Sequence, residues 1–238
     1  MNTAIVAKGF VAPLIACAAA LAAGSATAQD IPGYPSSVEA FDRREIALLP
    51  PYCVHTMIFR ERIPGGNNPE VVQRWRSLMG PNNFDTMHHY CWGLMKTNRA
   101  TLLAKSAYTR QFYLNSAVSE FDYVLERVSK DFILLPEVLT KKGENLVRLG
   151  KGPAAMFVLE RAAEVKPDYW PSWAQMADYY RGSGDTKKAR EVLEQALSYS
   201  PDAAALKRRL AELDSAPQRR KAPEGSGSKA SASQQGEP

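Results

Sequence analysis

The feature that most restricts the fold of this chain is a repeat of fixed length in its second half. Residues 136–169 can be laid over residues 170–203 without a gap, and similar residue types then coincide at several places. The coinciding pairs are Gly143 with Ala177, Gly150 with Gly184, Ala155 with Ala189, Leu159 with Leu193, Ala162 with Ala196 and Pro167 with Pro201. A fixed period of this size is typical of small units that bury their apolar faces against one another.

Each copy has the residue types of two antiparallel helices joined by a tight turn. Gly150 and Gly184 stand where a first helix would end in the left-handed conformation that glycine adopts most readily. Proline near the end of each copy stops the second helix, and the small residues at the other shared positions let two helices approach closely. The pattern therefore predicts a row of helical hairpins.

This spacing resembles the tetratricopeptide repeat (TPR), in which each 34-residue unit is a pair of antiparallel helices. The second copy also has Trp173, Met176, Ala177 and Tyr180 at the family's places for Trp, Leu, Gly and Tyr. The resemblance implies an all-α fold, a short α-solenoid of TPR hairpins.

The flanking segments complete this organisation. We expect a degenerate TPR-like repeat at 98–135, with Tyr108, Ala117, Phe121 and Val124 in family places, then the TPRs at 136–169 and 170–203. A capping helix is predicted at 204–215, and an N-terminal helical extension at 29–97. Residues 216–238 contain no large apolar side chain, and this composition predicts a disordered tail.

The first 28 residues have the pattern of a bacterial secretory signal peptide. Lys8 precedes an apolar run that ends at Ala26-Thr27-Ala28, and the run is too short to favour a permanent membrane span. Cleavage after Ala28 would place the mature protein in the periplasm, without a transmembrane segment. The alternative is a lipoprotein anchored through Cys17, because Leu14-Ile15-Ala16-Cys17 also fits a lipidation site.

The mature chain would keep two cysteines, and both lie close to histidines. Cys53 is followed by His55, and Cys91 lies three residues after His88. In an oxidising compartment such a pair favours a disulfide between Cys53 and Cys91. Three alternatives remain open: a zinc site of Cys53, His55, His88 and Cys91, a catalytic Cys–His pair, and two buried free thiols.

The TPR resemblance also implies a binding groove made by the first helices of successive units. By position, the groove would present Arg99, Glu137, Thr140, Glu144, Arg148, Ala174, Asp178 and Arg181. In the family's best-known groove, paired Lys, Asn and Arg side chains bind a C-terminal carboxylate. The equivalent places here hold Leu102, Ser106, Glu144, Pro171 and Gln175, so that ligand is not expected.

These features favour a non-catalytic scaffold that binds partner proteins in the cell envelope. Common nucleotide-binding, hydrolase, metalloprotease and haem-attachment motifs are absent, so neither an enzyme nor a cofactor is expected. The net charge of +5 is modest and the basic residues are scattered, which argues against nucleic-acid binding. The alternative function is a metal- or redox-linked factor that uses the two Cys/His pairs.

Overall fold

The computed structural model describes residues 41–215 of the 238-residue chain. The predicted signal peptide with Cys17, the start of the extension up to residue 40 and the predicted tail from residue 216 lie outside the described residues. Within the described range the chain is all-α, with ten α-helices and no strand. None of these helices is both long and apolar enough to cross a membrane.

The helices are short before residue 69 and regular after it. Their bounds are α1 Arg43–Ile46, α2 Phe59–Arg62, α3 Pro69–Met79, α4 Pro81–Asn98, α5 Ala107–Leu125, α6 Leu135–Arg148, α7 Gly152–Val165, α8 Trp170–Gly182, α9 Thr186–Tyr199 and α10 Ala204–Ser215. Pro51–His55 form a 3₁₀ helix, and Arg99–Leu103 form a π-helical turn directly after α4.

Helices α6 to α9 form two hairpins that follow the 34-residue frame. α6 pairs with α7 and α8 with α9, while α10 packs on α9 as the predicted cap. Gly150 and Gly184 have φ angles of 73° and 87°. After α6, the amides of Gly150 and Lys151 donate to the carbonyls of Val147 and Leu146, which closes the helix end as expected for glycine in this place.

Small residues bring the two helices of each hairpin together. A Cβ added to Gly143 of α6 would lie 2.6 Å from Leu159 Cγ of α7, so the helices meet there without a side chain between them. The apolar positions of the second helices are buried at the same places in each unit: Ala155, Leu159 and Ala162 in α7, and Ala189, Leu193 and Ala196 in α9.

A third hairpin precedes these two, but its first helix differs from the sequence prediction. The sequence places the whole degenerate repeat within 98–135, whereas the structure pairs α4 with α5. A Cβ on Gly93 of α4 would lie 2.5 Å from the Phe121 ring, the same contact that Gly143 makes with Leu159. Tyr108, predicted to take the family's place for Tyr, is 81% exposed, because the π-turn and a following connection lengthen this unit.

The extension before α4 is held by specific contacts rather than by a regular helix stack. Cys53, in the 3₁₀ helix, forms a disulfide with Cys91 of α4, with an S–S distance of 2.03 Å. The rings of Phe41 and Phe59 pack on Trp92, with centroids 5.1 and 5.3 Å from it. One face of α4 is thus covered by the extension, and its other neighbours are α5 and α6.

Candidate functional site

The first helices of successive units lie side by side and are linked by polar contacts. Tyr90 of α4 donates to Glu137 of α6 at 2.5 Å, and the Thr97 hydroxyl of α4 lies 3.1 Å from Asn145 Oδ1 of α6. At the other end, Arg209 of α10 donates to Asp178 of α8 at 2.9 Å. We call the surface of α4, α6, α8 and α10 the first-helix face, and it is the counterpart of the groove predicted from the TPR resemblance.

The predicted groove residues divide into accessible and buried groups. Arg148, Asp178 and Arg181 keep 36%, 30% and 45% of their side chains exposed, and Glu144 keeps 15%. Thr140 and Ala174 are buried, with only 3% and 1% of each residue exposed, so neither presents a side chain to a partner. For these two residues the groove prediction is wrong, because both are buried.

Arg99 is the clearest departure from the predicted groove. It begins the π-turn after α4 and is completely buried. Its guanidinium donates to both carboxylate oxygens of Glu45, from Nε at 2.6 Å and from Nη2 at 3.0 Å. Arg99 therefore anchors α1 of the extension to α4. The prediction was wrong because it assumed that the first helix of this unit begins near residue 98. In the structure that helix is α4, which ends at Asn98.

The accessible charges of the first-helix face are arranged in local ion pairs. Glu144 accepts from Lys141 at 3.1 Å and from Arg148 at 2.7 Å. Burial acts to raise the pKa of Glu144, but the two neighbouring cations overcome it and the pKa lies below its usual value. In α8, Asp178 and Glu212 of α10 pair with Arg181. This face thus offers both charge signs to a partner, in positions that a rigid helix pair determines.

A group of tyrosines around Glu137 was missed by the sequence reasoning. Burial, followed by the negative charge of Glu137, raises the pKa values of Tyr52, Tyr90 and Tyr169. The Tyr52 hydroxyl is buried and has no hydrogen-bond partner within residues 41–215. Aligning Gly93 with Gly143 would have placed Tyr90 at the position of Thr140 and so on the first-helix face. No comparable signal exists for Tyr52, which comes from the irregular extension.

The two Cys/His pairs do not assemble into a metal site in the described part of the chain. Cys53 and Cys91 are bonded to each other and are completely buried. His55 Nδ1 lies 2.8 Å from the Gly66 carbonyl oxygen, and His88 Nδ1 lies 2.9 Å from that of Asp85. Between residues 41 and 215 no group of three or more His, Cys, Asp or Glu side chains has the geometry to hold a metal ion.

His89 takes part in a separate polar cluster on α4 and α5. Its Nδ1 lies 2.6 Å from Glu120 Oε2, and Lys96 Nζ lies 2.5 Å from Glu120 Oε1. Burial acts to raise the pKa of Glu120, but the hydrogen bonds from His89 and Lys96 lower it. The ring of Tyr123 stacks on the His89 ring, and the guanidinium of Arg127 lies 3.6 Å from the centroid of the Tyr123 ring. These contacts close one side of the first hairpin.

Stacked antiparallel hairpins with small residues at their crossings define a helical repeat protein of the protein-interaction class. Residues 146–210 match a family model described as tetratricopeptide repeat. The second half of the described chain is therefore similar to tetratricopeptide repeat proteins.

The chain is also similar to a much longer human protein, Protein O-mannosyl-transferase TMTC1 from Homo sapiens. The two are 29% identical over 112 residues, which cover 47% of this chain and 13% of that protein. This chain therefore corresponds to only a small part of the human protein's length.

Proposed function

We propose that this chain is a non-catalytic scaffold that binds partner proteins through its first-helix face in the bacterial cell envelope. The observation that carries this proposal is the set of half-exposed ion pairs that α6 and α8 present on one surface. Charged groups that are held in place by their neighbours determine the orientation and the specificity of a bound partner more than they raise its affinity. An extended segment or helix with alternating charges is the type of partner that suits this surface.

The alternative function, a metal- or redox-linked factor, has less support. Its four residues are Cys53, His55, His88 and Cys91, and two of them form a disulfide. Because both sulfurs are completely buried, a thiol reagent or a redox partner would have no direct access to them. Intact mass measured with and without reductant tests the point: two free thiols together with bound zinc would support the alternative.

Site-specific photo-crosslinking in living cells tests the binding surface. A photoreactive residue is placed at Lys141 or at Arg148, both on the first-helix face, and at Ser119 on the exposed side of α5 as a control. We expect both first-helix positions to crosslink to the same protein, and excess unmodified chain to compete with the reaction. If Ser119 captures that protein equally well, or if the two first-helix positions capture nothing in common, the proposed surface is wrong.

The periplasmic location is part of the same proposal and needs its own test. Residues 1–40 are fused to a reporter enzyme that becomes active only when its disulfides form. We expect activity from the wild-type leader and retention of an uncleaved form when Ala28 is changed to Leu. A Cys17→Ser variant distinguishes the lipoprotein alternative, because loss of membrane attachment in that variant would identify Cys17 as the anchor.

A further inference from the structure

Two cavities that are lined by residues at corresponding repeat positions lie between second helices of neighbouring units, away from the first-helix face. The α5/α7 cavity has a volume of about 540 Å³ and the α7/α9 cavity about 340 Å³. The floor of the first is formed by Leu139, Lys142 and Leu146 of α6, and the floor of the second by Trp173, Met176 and Tyr180 of α8. Laid over one another in the repeat frame, these floor residues correspond one by one.

The walls of the two cavities also carry acidic residues at corresponding places. In the α5/α7 cavity these are Asp122 and Glu126 of α5, and in the α7/α9 cavity they are Glu160 and Glu164 of α7. The correspondence follows from Phe121 and Leu159, which fill the same place in their hairpins and directly precede Asp122 and Glu160.

In the α5/α7 cavity the acidic residues are neutralised by this chain itself. Lys142 rises from the floor, and its Nζ lies 2.5 Å from Asp122 Oδ1. Glu126 pairs with the neighbouring Arg127 at 3.1 Å. In the α5/α7 cavity the chain therefore places an ammonium group of its own, that of Lys142, beside the Asp122 carboxylate.

In the α7/α9 cavity the corresponding ammonium is missing. Met176 stands at the place of Lys142, and within residues 41–215 neither Glu160 nor Glu164 has an ion-pair partner. The two carboxylates are one helical turn apart, a spacing at which like charges repel. Lys188 lines the cavity, but it pairs with Glu191 on its own helix, at 3.6 Å.

Aromatic groups complete the α7/α9 cavity. Trp173 and Tyr180 lie on the floor, and the Tyr199 ring stacks on Trp173 with a centroid distance of 5.9 Å. The indole N–H of Trp173 is used in a hydrogen bond to the Pro167 carbonyl at 2.9 Å, so the ring is fixed in place. Rings beside carboxylates attract a cation through both the ring quadrupole and the opposite charge.

We propose that the α7/α9 cavity binds the ammonium group of a lysine side chain supplied by a partner polypeptide. Its methylene chain would pack against Met176 and the aromatic rings, while the ammonium would reach Glu160 and Glu164, as Lys142 reaches Asp122 in the preceding unit.

A peptide titration followed by NMR tests this proposal on the full mature chain. The probe is a capped Gly-Lys-Gly peptide, and the readout is the indole N–H resonance of Trp173, identified among the four tryptophans by a Trp173→Phe variant. We expect a saturable shift and at least a roughly tenfold weaker response to the same peptide with an acetylated lysine, which has lost its charge.

Three variants connect the response to the cavity. Glu160→Gln with Glu164→Gln should weaken binding by about tenfold or more, since charge-assisted contacts are lost. Met176→Lys should abolish binding, because the introduced ammonium occupies the place that Lys142 has in the other unit. Lys142→Met is the matched control and should leave the Trp173 response unchanged. Circular dichroism of each variant checks that the fold is intact.

Several results would overturn the proposal. Equal shifts with the lysine and acetyl-lysine peptides would show that no ammonium is recognised, and unchanged binding by the doubly neutralised variant would show that Glu160 and Glu164 are not the ligands. If wild type responds to the peptide only after the basic residues beyond Ser215 are neutralised, the occupant is the chain's own tail and not a partner. None of these outcomes affects crosslinking at Lys141 and Arg148. The lysine site and the proposed binding surface on the first-helix face are therefore tested independently.

Discussion

The extension and the repeats of this protein achieve a stable fold in different ways. Before α3, the chain forms helices of only four or five residues, and it is held to α4 by the Cys53–Cys91 disulfide and by the buried Glu45–Arg99 ion pair. From α6 onward, helices of twelve to fourteen residues pack through the same small and apolar positions in each unit. The extension therefore depends on a few individual contacts, whereas the repeats share their stability among many similar ones.

This difference has a consequence for how mutations act. Removing one contact from a repeat leaves equivalent contacts in the neighbouring units, because stability in such arrays is close to a sum of unit and interface contributions. The extension has no second copy of its disulfide or of its buried ion pair. Single changes should therefore be costly in the extension and mild on the exposed faces of the repeats.

Arg99→Leu is expected to have the largest effect. It leaves the Glu45 carboxylate buried without the guanidinium that it accepts from, and breaking a buried pair in this way costs about 3–5 kcal/mol. The measurement is the free energy of unfolding from urea titration, together with the loss of protection of α1 amides in hydrogen exchange.

The matched control is Arg181→Leu in the repeat region. Arg181 also makes two carboxylate contacts, with Asp178 and Glu212, but 45% of its side chain is exposed. Exposed pairs contribute about 1 kcal/mol or less, so this variant should be nearly as stable as wild type. Equal losses for Arg99→Leu and Arg181→Leu would contradict the contrast between the two regions.

Removal of the disulfide should have the next largest effect. Cys53 and Cys91 are separated by 38 residues, and losing a crosslink of this kind typically costs about 2–4 kcal/mol. In the double variant Cys53→Ala with Cys91→Ala, we expect hydrogen exchange to become faster in the 3₁₀ helix and α2, while α6 to α9 keep their protection. If the repeats lose protection to the same extent, the extension and the repeats unfold as one cooperative unit and the comparison fails.

The same contrast explains how much of the fold could be predicted from the sequence. The 34-residue frame predicts the hairpins of α6 to α9 and the cap at 204–215, because each unit repeats the same burial pattern at the same spacing. The first hairpin was placed in the wrong segment because the two residues at its helix crossing, Gly93 and Phe121, are separated by an extra π-turn and connection. A search for a fixed repeat length cannot detect an insertion of this kind.

The functional surface was predictable to a smaller extent for a related reason. The frame identifies which positions of α6 and α8 lie on the first-helix face, and Glu144, Arg148, Asp178 and Arg181 are there. It does not show which of those positions a neighbouring element covers, as happens to Thr140 and Ala174. It also carries no information about Tyr52, because residues of the irregular extension have no equivalent in the repeats.

A methyl group added where two helices cross tests whether close helix contact stabilises the repeats. The Cβ of Gly143→Ala would lie 2.6 Å from Leu159 Cγ, and overpacking of this kind costs about 1–3 kcal/mol. Since alanine is the better helix former by about 1 kcal/mol, the net loss should be about 0–2 kcal/mol. Gly93→Ala should behave alike if α4 and α5 form a true repeat unit, and the denaturation midpoint measures both.

Gly182→Ala is the control for helix propensity without overpacking. Nothing lies within 4 Å of a Cβ at Gly182, which is near the end of α8. This variant should be as stable as wild type or more stable by about 0.5–1 kcal/mol. If Gly143→Ala were stabilised by the same amount, close contact at Gly143 would not be what positions α6 against α7.

The smallest expected effect is a pH dependence that comes from His88, a residue of α4 that is only 6% exposed. Burial lowers the pKa of His88, and the nearby His89 lowers it further, while the Asp85 carbonyl and the Glu120 and Asp85 charges offset part of the shift. The folded chain thus binds a proton at His88 less readily than the unfolded chain, whose value is about 6.5. The stability that neutral His88 contributes is complete above pH 6.5 and is lost as the pH falls from there through the folded pKa.

Unfolding free energies of wild type and His88→Gln at several pH values between 7.5 and 5 isolate this contribution, because the two proteins differ only at residue 88. Wild type should lose more stability than His88→Gln over that range. The carboxyls of Glu120 and Glu144 also have lowered pKa values, but their contributions disappear only below their usual value of 4.5, outside this window. Parallel curves for the two proteins would mean that His88 accepts a proton as readily in the folded chain as in the unfolded one, and that its surroundings in the folded chain are not closed to water.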